Sequence, residues 1–129
     1  MSASASGEFC ALAISRNPIG IDIERADGPI DLVALLEFAA VPWAVGLTTL
    51  PPKIGAFEAR LAWTRLEACL KQTARGVHDH LVRGPADLMT GVGAVHILAT
   101  LDWVCAVAQA DNRVEIKTRL IDFGTLCDV

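Results

Sequence analysis

Residues 19–24, IGIDIE, place an isoleucine at every second position and something else between. That strict alternation is the period of a β-strand. Just upstream, residues 9–15 (FCALAIS) form an apolar run suited to a buried strand, and Arg16-Asn17-Pro18 supplies turn chemistry between the two. The pattern predicts an antiparallel hairpin of 9–15 with 19–24. Asp27-Gly28-Pro29 breaks it, and Asp31 is placed to cap a helix over 32–40 that stops before Pro42. Residues 46–53, with their Pro-Pro pair, read as a loop. From Gly55 to Arg75 the chain has no proline and is rich in Ala, Leu, Glu and Arg, with Gly76 following as a C-cap. At 100° per residue this helix gathers Ala59, Ala62, Trp63, Leu66, Cys69 and Leu70 into one apolar sector. Arg60, Glu67 and Lys71 fall along its edge. Residues 77–94 commit to neither period, and His78-Asp79-His80 within them reads as a polar loop. Residues 95–108 read as two β-rich runs meeting near Asp102, and RVEIKTRLIDF (113–123) as a last strand. The expected architecture is a single α+β domain over residues 1–129, an antiparallel sheet packed against one long helix.

Composition sharpens this in one respect. Hydrophobic residues make up 53% and charged residues only 20% of the 129, more apolar than an average globular chain. The surplus needs cover, and a subunit interface is the simplest. Net charge is −4 with no basic run, which argues against nucleic acid. Met1–Cys10 carries no basic segment or long apolar core of a leader, and the longest apolar run, 38–47, contains Pro42 and is too short to span a bilayer. The expectation is a cytoplasmic protein bound to no membrane. Cys10, Cys69, Cys105 and Cys127 show neither CxxC nor zinc spacing and read as reduced thiols, mostly buried. Trp63 and Trp103 read as core; Trp43 suits core or interface.

The chemistry lies in the acids. Asp22 and Glu24 sit two apart on a strand, so they share a face, with Cα atoms ~6.5–7 Å apart. Together they can reach one hard cation; equally, they can line the solvated face of a half-buried sheet. Glu67 and Lys71 are one helical turn apart, a spacing common to surface ion pairs. If Glu67 meets Asp22 and Glu24 in space, three carboxylates make a site for Mg²⁺, which favours oxygen ligands and substrate phosphates.

Two stretches together resemble the 4′-phosphopantetheinyl transferases. PIGIDIER (18–25) is similar to that family's (V/I)-G-(I/V)-D-(I/V)-E strand, and WTRLEACLKQTARG (63–76) to its W-(S/T)-x-K-E-A-x-x-K helix. Glu67 follows Asp22 by 45 residues, the family's separation. SASASGEFCALAIS looks like the S-x-S-H-S stretch and strand that open the second half of the longer, two-lobed members, and HILATLDWVCAVA like the strand pair that closes it. The resemblance implies a half-domain of that fold and transfer of 4′-phosphopantetheine from coenzyme A to a serine of an apo acyl, peptidyl or aryl carrier protein. It implies Asp22, Glu24 and Glu67 as Mg²⁺ ligands, Glu67 also as the group that helps deprotonate the carrier serine, and Lys71 and Ser4 against coenzyme A. Two positions depart from the pattern: Leu66 stands where the family has lysine, and Ala5 where it has the histidine that contacts the coenzyme's 3′-phosphate. Only one half is present, so a homo-oligomer or a partner half-domain is expected to complete the site. The alternative is a degenerate, non-catalytic subunit that binds a carrier protein or partner chain.

Overall fold

The computed structural model describes residues 1–39, 42–119 and 121. Strands β1 (Ser2–Ser6) and β2 (Phe9–Ala13) form an antiparallel hairpin. The two-residue loop Gly7–Glu8 turns it, with Gly7 at φ +61°, the backbone region that two-residue hairpin turns require. A Cβ there would also lie 2.5 Å from Cδ of Arg25. Strand β3 (Ile19–Arg25) belongs to a second sheet, in the order β3-β5-β4, all antiparallel, with β4 at Ala94–Ala99 and β5 at Trp103–Gln109. The expected 9–15/19–24 hairpin is therefore corrected: β2 pairs with β1, and β3 pairs with the distant β5, Asp22 lying opposite Ala106. An apolar alternation states that a strand exists but not which strand it joins.

The two faces of β3 meet different partners. Ile19, Ile21 and Ile23 pack with Phe9, Ala11, Ala13, Cys105 and Val107, so hairpin β1–β2 covers that side. Gly20, Asp22 and Glu24 face helix α2 (Pro52–Gln72). The core between sheet and helix is built from Ala59, Ala62, Leu66, Cys69 and Leu70 against Ala106 and Ala108. The small residues on β5 let the helix lie close. Gly20 marks the tightest approach: a Cβ there would run into the carbonyl oxygen of Ala68 and stand 2.5 Å from the amide nitrogen of Gln72.

Helix α1 (Leu32–Ala39) starts where Asp31 predicts, its Oδ1 accepting from the amides of Val33 and Ala34 at 3.0 Å each. Residues 47–49 form a short 3₁₀ turn and α2 begins at Pro52, so the expected 46–53 loop holds the first helical residues. The C-cap also moves. Ala74 takes φ 54°, the amide of Ala74 donates to Lys71 O at 3.2 Å and that of Arg75 to Leu70 O at 2.8 Å, the paired bonds of a Schellman motif. Gly76 instead precedes α3 (Val77–Arg83). A left-handed alanine is costly where glycine is free of strain. Ala74→Gly is expected to stabilise the fold by about 1 kcal/mol, seen as a melting midpoint a few degrees higher. An unchanged or lowered midpoint would refute the left-handed cap.

Helix α3 replaces the polar loop expected at 78–80, and His80 is buried on it. The turn between β4 and β5 falls at Thr100–Asp102, as the sequence predicts, with Thr100 Oγ1 accepting from the amides of Asp102 and Trp103. No strand forms over residues 113–119 or at Ile121, and residues 120, 122 and 123 of the expected last strand, like Cys127, lie outside the described residues. Among the described residues no helix is long and apolar enough to cross a membrane.

Candidate active site

The site lies in the groove between the free edge of β3 and the edge of α2. Asp22 is only 4% exposed, so the solvated-face reading of the strand fails for it. Its Oδ1 accepts from two donors, Ser4 Oγ at 2.7 Å and Lys71 Nζ at 2.8 Å. Lys71 also reaches Ile21 O at 3.3 Å. Asp22 Oδ2 is buried with no hydrogen-bond partner, an uncommon state for a carboxylate oxygen. Glu24, half-buried two residues on, accepts from Ser6 Oγ through Oε2 at 2.9 Å.

Glu67 comes to the same groove from α2. Burial raises its proton affinity above that of an ordinary glutamate, the negative charges of Asp22 and Glu24 raise it further, and Lys71 pulls the other way. The two strand acids and the helix acid thus feel one another across residues remote in the chain. Three carboxylates face one ammonium, so negative charge is in excess. As the side chains stand, no group of three His, Cys, Asp or Glu among the described residues is drawn together tightly enough to hold a metal ion. Ser4 and Lys71 instead bond to one oxygen of Asp22, and Ser6 to one oxygen of Glu24.

Leu66 is fully buried in the helix–sheet core, so its position offers no cation to the groove. Ala5 is exposed, on the side of β1 that faces away from β3. Trp63 and Trp103 pack against the core at its margins, and Arg65 stacks over Trp43 with its guanidinium 5.9 Å from the ring centroid. Cys69 and Cys105 are buried thiols, each pushed up to about 11 by desolvation, and neither is a nucleophile at neutral pH.

Arg60 is a structural anchor that sequence reading places no further than the edge of the helix. It is buried, donating Nη1 to Ala26 O at 2.6 Å and Nη2 to Gly28 O. Those bonds fix the chain just after β3, where Arg25 pairs with Asp27 at 2.8 Å. Beside it opens a cavity of about 540 Å³, lined by Ser6, Glu24, Arg60, Leu35, Phe38 and Trp63 among others. The acidic groove therefore continues into a partly apolar hollow of ligand size. Compared with known proteins, the chain matches no family model and no curated relative.

Proposed function

We propose that this chain is a 4′-phosphopantetheinyl transferase of the holo-carrier-protein synthase type, acting with Mg²⁺. The observation that carries the reading is the convergence of Asp22, Glu24 and Glu67 on one groove, with an oxygen of Asp22 buried and unsatisfied. That charge surplus suits a divalent cation. Asp22 and Glu24 would hold it from the strand and Glu67 from the helix, and Lys71 would exchange Asp22 for a phosphate of coenzyme A. When bound, Mg²⁺ neutralises charge on the pyrophosphate. Glu67 takes the proton of the carrier serine as its oxygen attacks the β-phosphorus, and the bond from that phosphorus to the bridging oxygen breaks, releasing 3′,5′-ADP. Burial and the neighbouring acids raise the proton affinity of Glu67 in the metal-free chain, the direction a general base requires.

A cytoplasmic setting belongs to the same proposal, as does completion of the coenzyme site by a second copy or a partner half-domain. Apolar exposure at the hairpin supports association, since Leu12 on the outer side of β2 is 59% exposed and Ile14, just past the strand's end, is 77% exposed. A second reading, a non-catalytic subunit that binds a carrier protein, is favoured by the burial of Leu66 and by the way Ser4 and Lys71 satisfy Asp22 Oδ1 with no metal. The two separate in one assay. The chain is incubated with coenzyme A, Mg²⁺ and a panel of apo carrier proteins, and the carrier mass is followed. A phosphopantetheine mass gain on the serine is expected. No gain on any carrier, with no Mg²⁺-dependent coenzyme A binding, would select the non-catalytic reading.

A further inference from the structure

Strand β1 lies along the open edge of β3, yet the two belong to different sheets. What joins them is a row of serine side chains. Ser2 Oγ accepts from the amide of Ile21 at 3.1 Å, Ser4 Oγ donates to Asp22 at 2.7 Å, and Ser6 Oγ donates to Glu24 at 2.9 Å while accepting from the amide of Arg25 at 3.2 Å. The contacts advance in step along both strands, so β1 runs parallel to β3. Serines two apart meet acids two apart because both rows follow the two-residue period of extended chain. Alanine fills the alternate positions, Ala3 and Ala5, which are exposed.

The consequence for the acids is an asymmetry. Each of the two is gripped through one oxygen. In Asp22, Ser4 and Lys71 both bind Oδ1, and the unpartnered Oδ2 is left buried. A carboxylate tied at one oxygen by a hydroxyl has its rotamer fixed and presents the other oxygen as a single ligand atom. Groups behind the ligands in metal sites do this work, and their loss typically weakens metal binding. Ser4 spends its hydroxyl proton on Asp22, so a contact with coenzyme A can use its oxygen only as an acceptor or must break that bond.

We infer that Ser4 and Ser6 are positioning residues that set how Asp22 and Glu24 present to a divalent cation. This rests on the metal-dependent reading of the groove. The test is Mn²⁺ titration of the full chain followed by electron paramagnetic resonance, without coenzyme A or a carrier. Wild type is expected to bind Mn²⁺. Ser4→Ala and Ser6→Ala should each bind roughly 10- to 100-fold more weakly, while Ser4→Thr and Ser6→Thr, which keep the hydroxyl, should restore most of the affinity. Ala3→Ser, on the outer side of β1, should bind as wild type. If an alanine variant loses its circular dichroism spectrum, Ser4→Cys takes its place as a near-isostere and weak donor, and weakened binding is expected of it. Alanine variants, or the cysteine variant in their place, that bind Mn²⁺ as tightly as wild type would overturn the positioning role while leaving the metal site standing. A wild-type chain that binds no Mn²⁺ would overturn the metal reading itself, and the positioning role with it.

Discussion

Glu67→Gln is expected to abolish phosphopantetheine transfer and, in the same molecule, to raise the melting temperature of the metal-free protein. Both effects come from one feature. Glu67 is partly desolvated on α2 and faces the charges of Asp22 and Glu24, while Lys71, the nearby cation, is already bonded to Asp22. Glutamine keeps the shape and removes the charge, so burial of the group costs less and the repulsion ends. Without a ligand to the cation and without a base, the transfer rate should fall on the order of a thousandfold or more. The charge also sets a pH dependence. The folded chain holds the Glu67 proton more tightly than the unfolded chain does, so the stability tied to it is complete below the ordinary glutamate range. It is lost as pH rises from there through the elevated folded value. Glu67→Gln should flatten the metal-free stability profile across that window, and Mg²⁺ should stabilise wild type most at its upper end. Melting curves between pH 4 and pH 8, with and without Mg²⁺, read this directly. A variant that transfers at the wild-type rate would remove Glu67 from the active site, and one that melts lower would show its charge to be stabilising.

Gly20→Ala is the second large effect, and it is expected to unfold the protein or come close. One methyl group would have to occupy the space of the Ala68 carbonyl and the Gln72 amide. Both are backbone atoms in the last turn of α2, held by the helix itself, and cannot rotate aside as a side chain would. Overpacking of ordinary cores costs ~1–3 kcal/mol, and a clash with backbone should exceed that, a large share of the ~5–15 kcal/mol of a typical domain. Urea denaturation measures it. Any molecules that remain folded must hold α2 farther from β3. Since Asp22 follows Gly20 on the same face, Glu67 is then drawn away from both acids, and divalent-cation binding should fall with stability. A Gly20→Ala protein of wild-type stability would show that helix and strand do not lie as close as described.

Where the chain announced its own structure, a local signal was sufficient. Asp31 placed the start of α1 because a cap needs only its own neighbours. The apolar sector of α2 was visible for the same reason, and burial of Leu66, Cys69 and Leu70 follows from it. The partner of β3 was not visible, since β5 lies some eighty residues away and an isoleucine alternation fits any neighbour. Strand β1 carries no hydrophobic period at all. Its signal is serine against alanine, which a search for apolar spacing passes over. Ala74 hid the helix end by taking a backbone conformation usually left to glycine. Of the site, the shared face of Asp22 and Glu24 was legible from strand geometry and their resemblance pointed to Glu67. Burial of Asp22, and its capture by Lys71, depended on how closely α2 lies on Gly20.

The way the first hairpin is attached has a consequence for how the molecule breathes. β5 is the middle strand, bonded on both sides and buried from Val104 to Gln109, so its amide protons should exchange only when the whole domain opens. The serine strand has no such backbone ladder to β3. It should peel away in a local event of much lower free energy, carrying its own turn with it, and each such excursion bares Asp22 and Glu24 to solvent while the helix and the central strand stay in place.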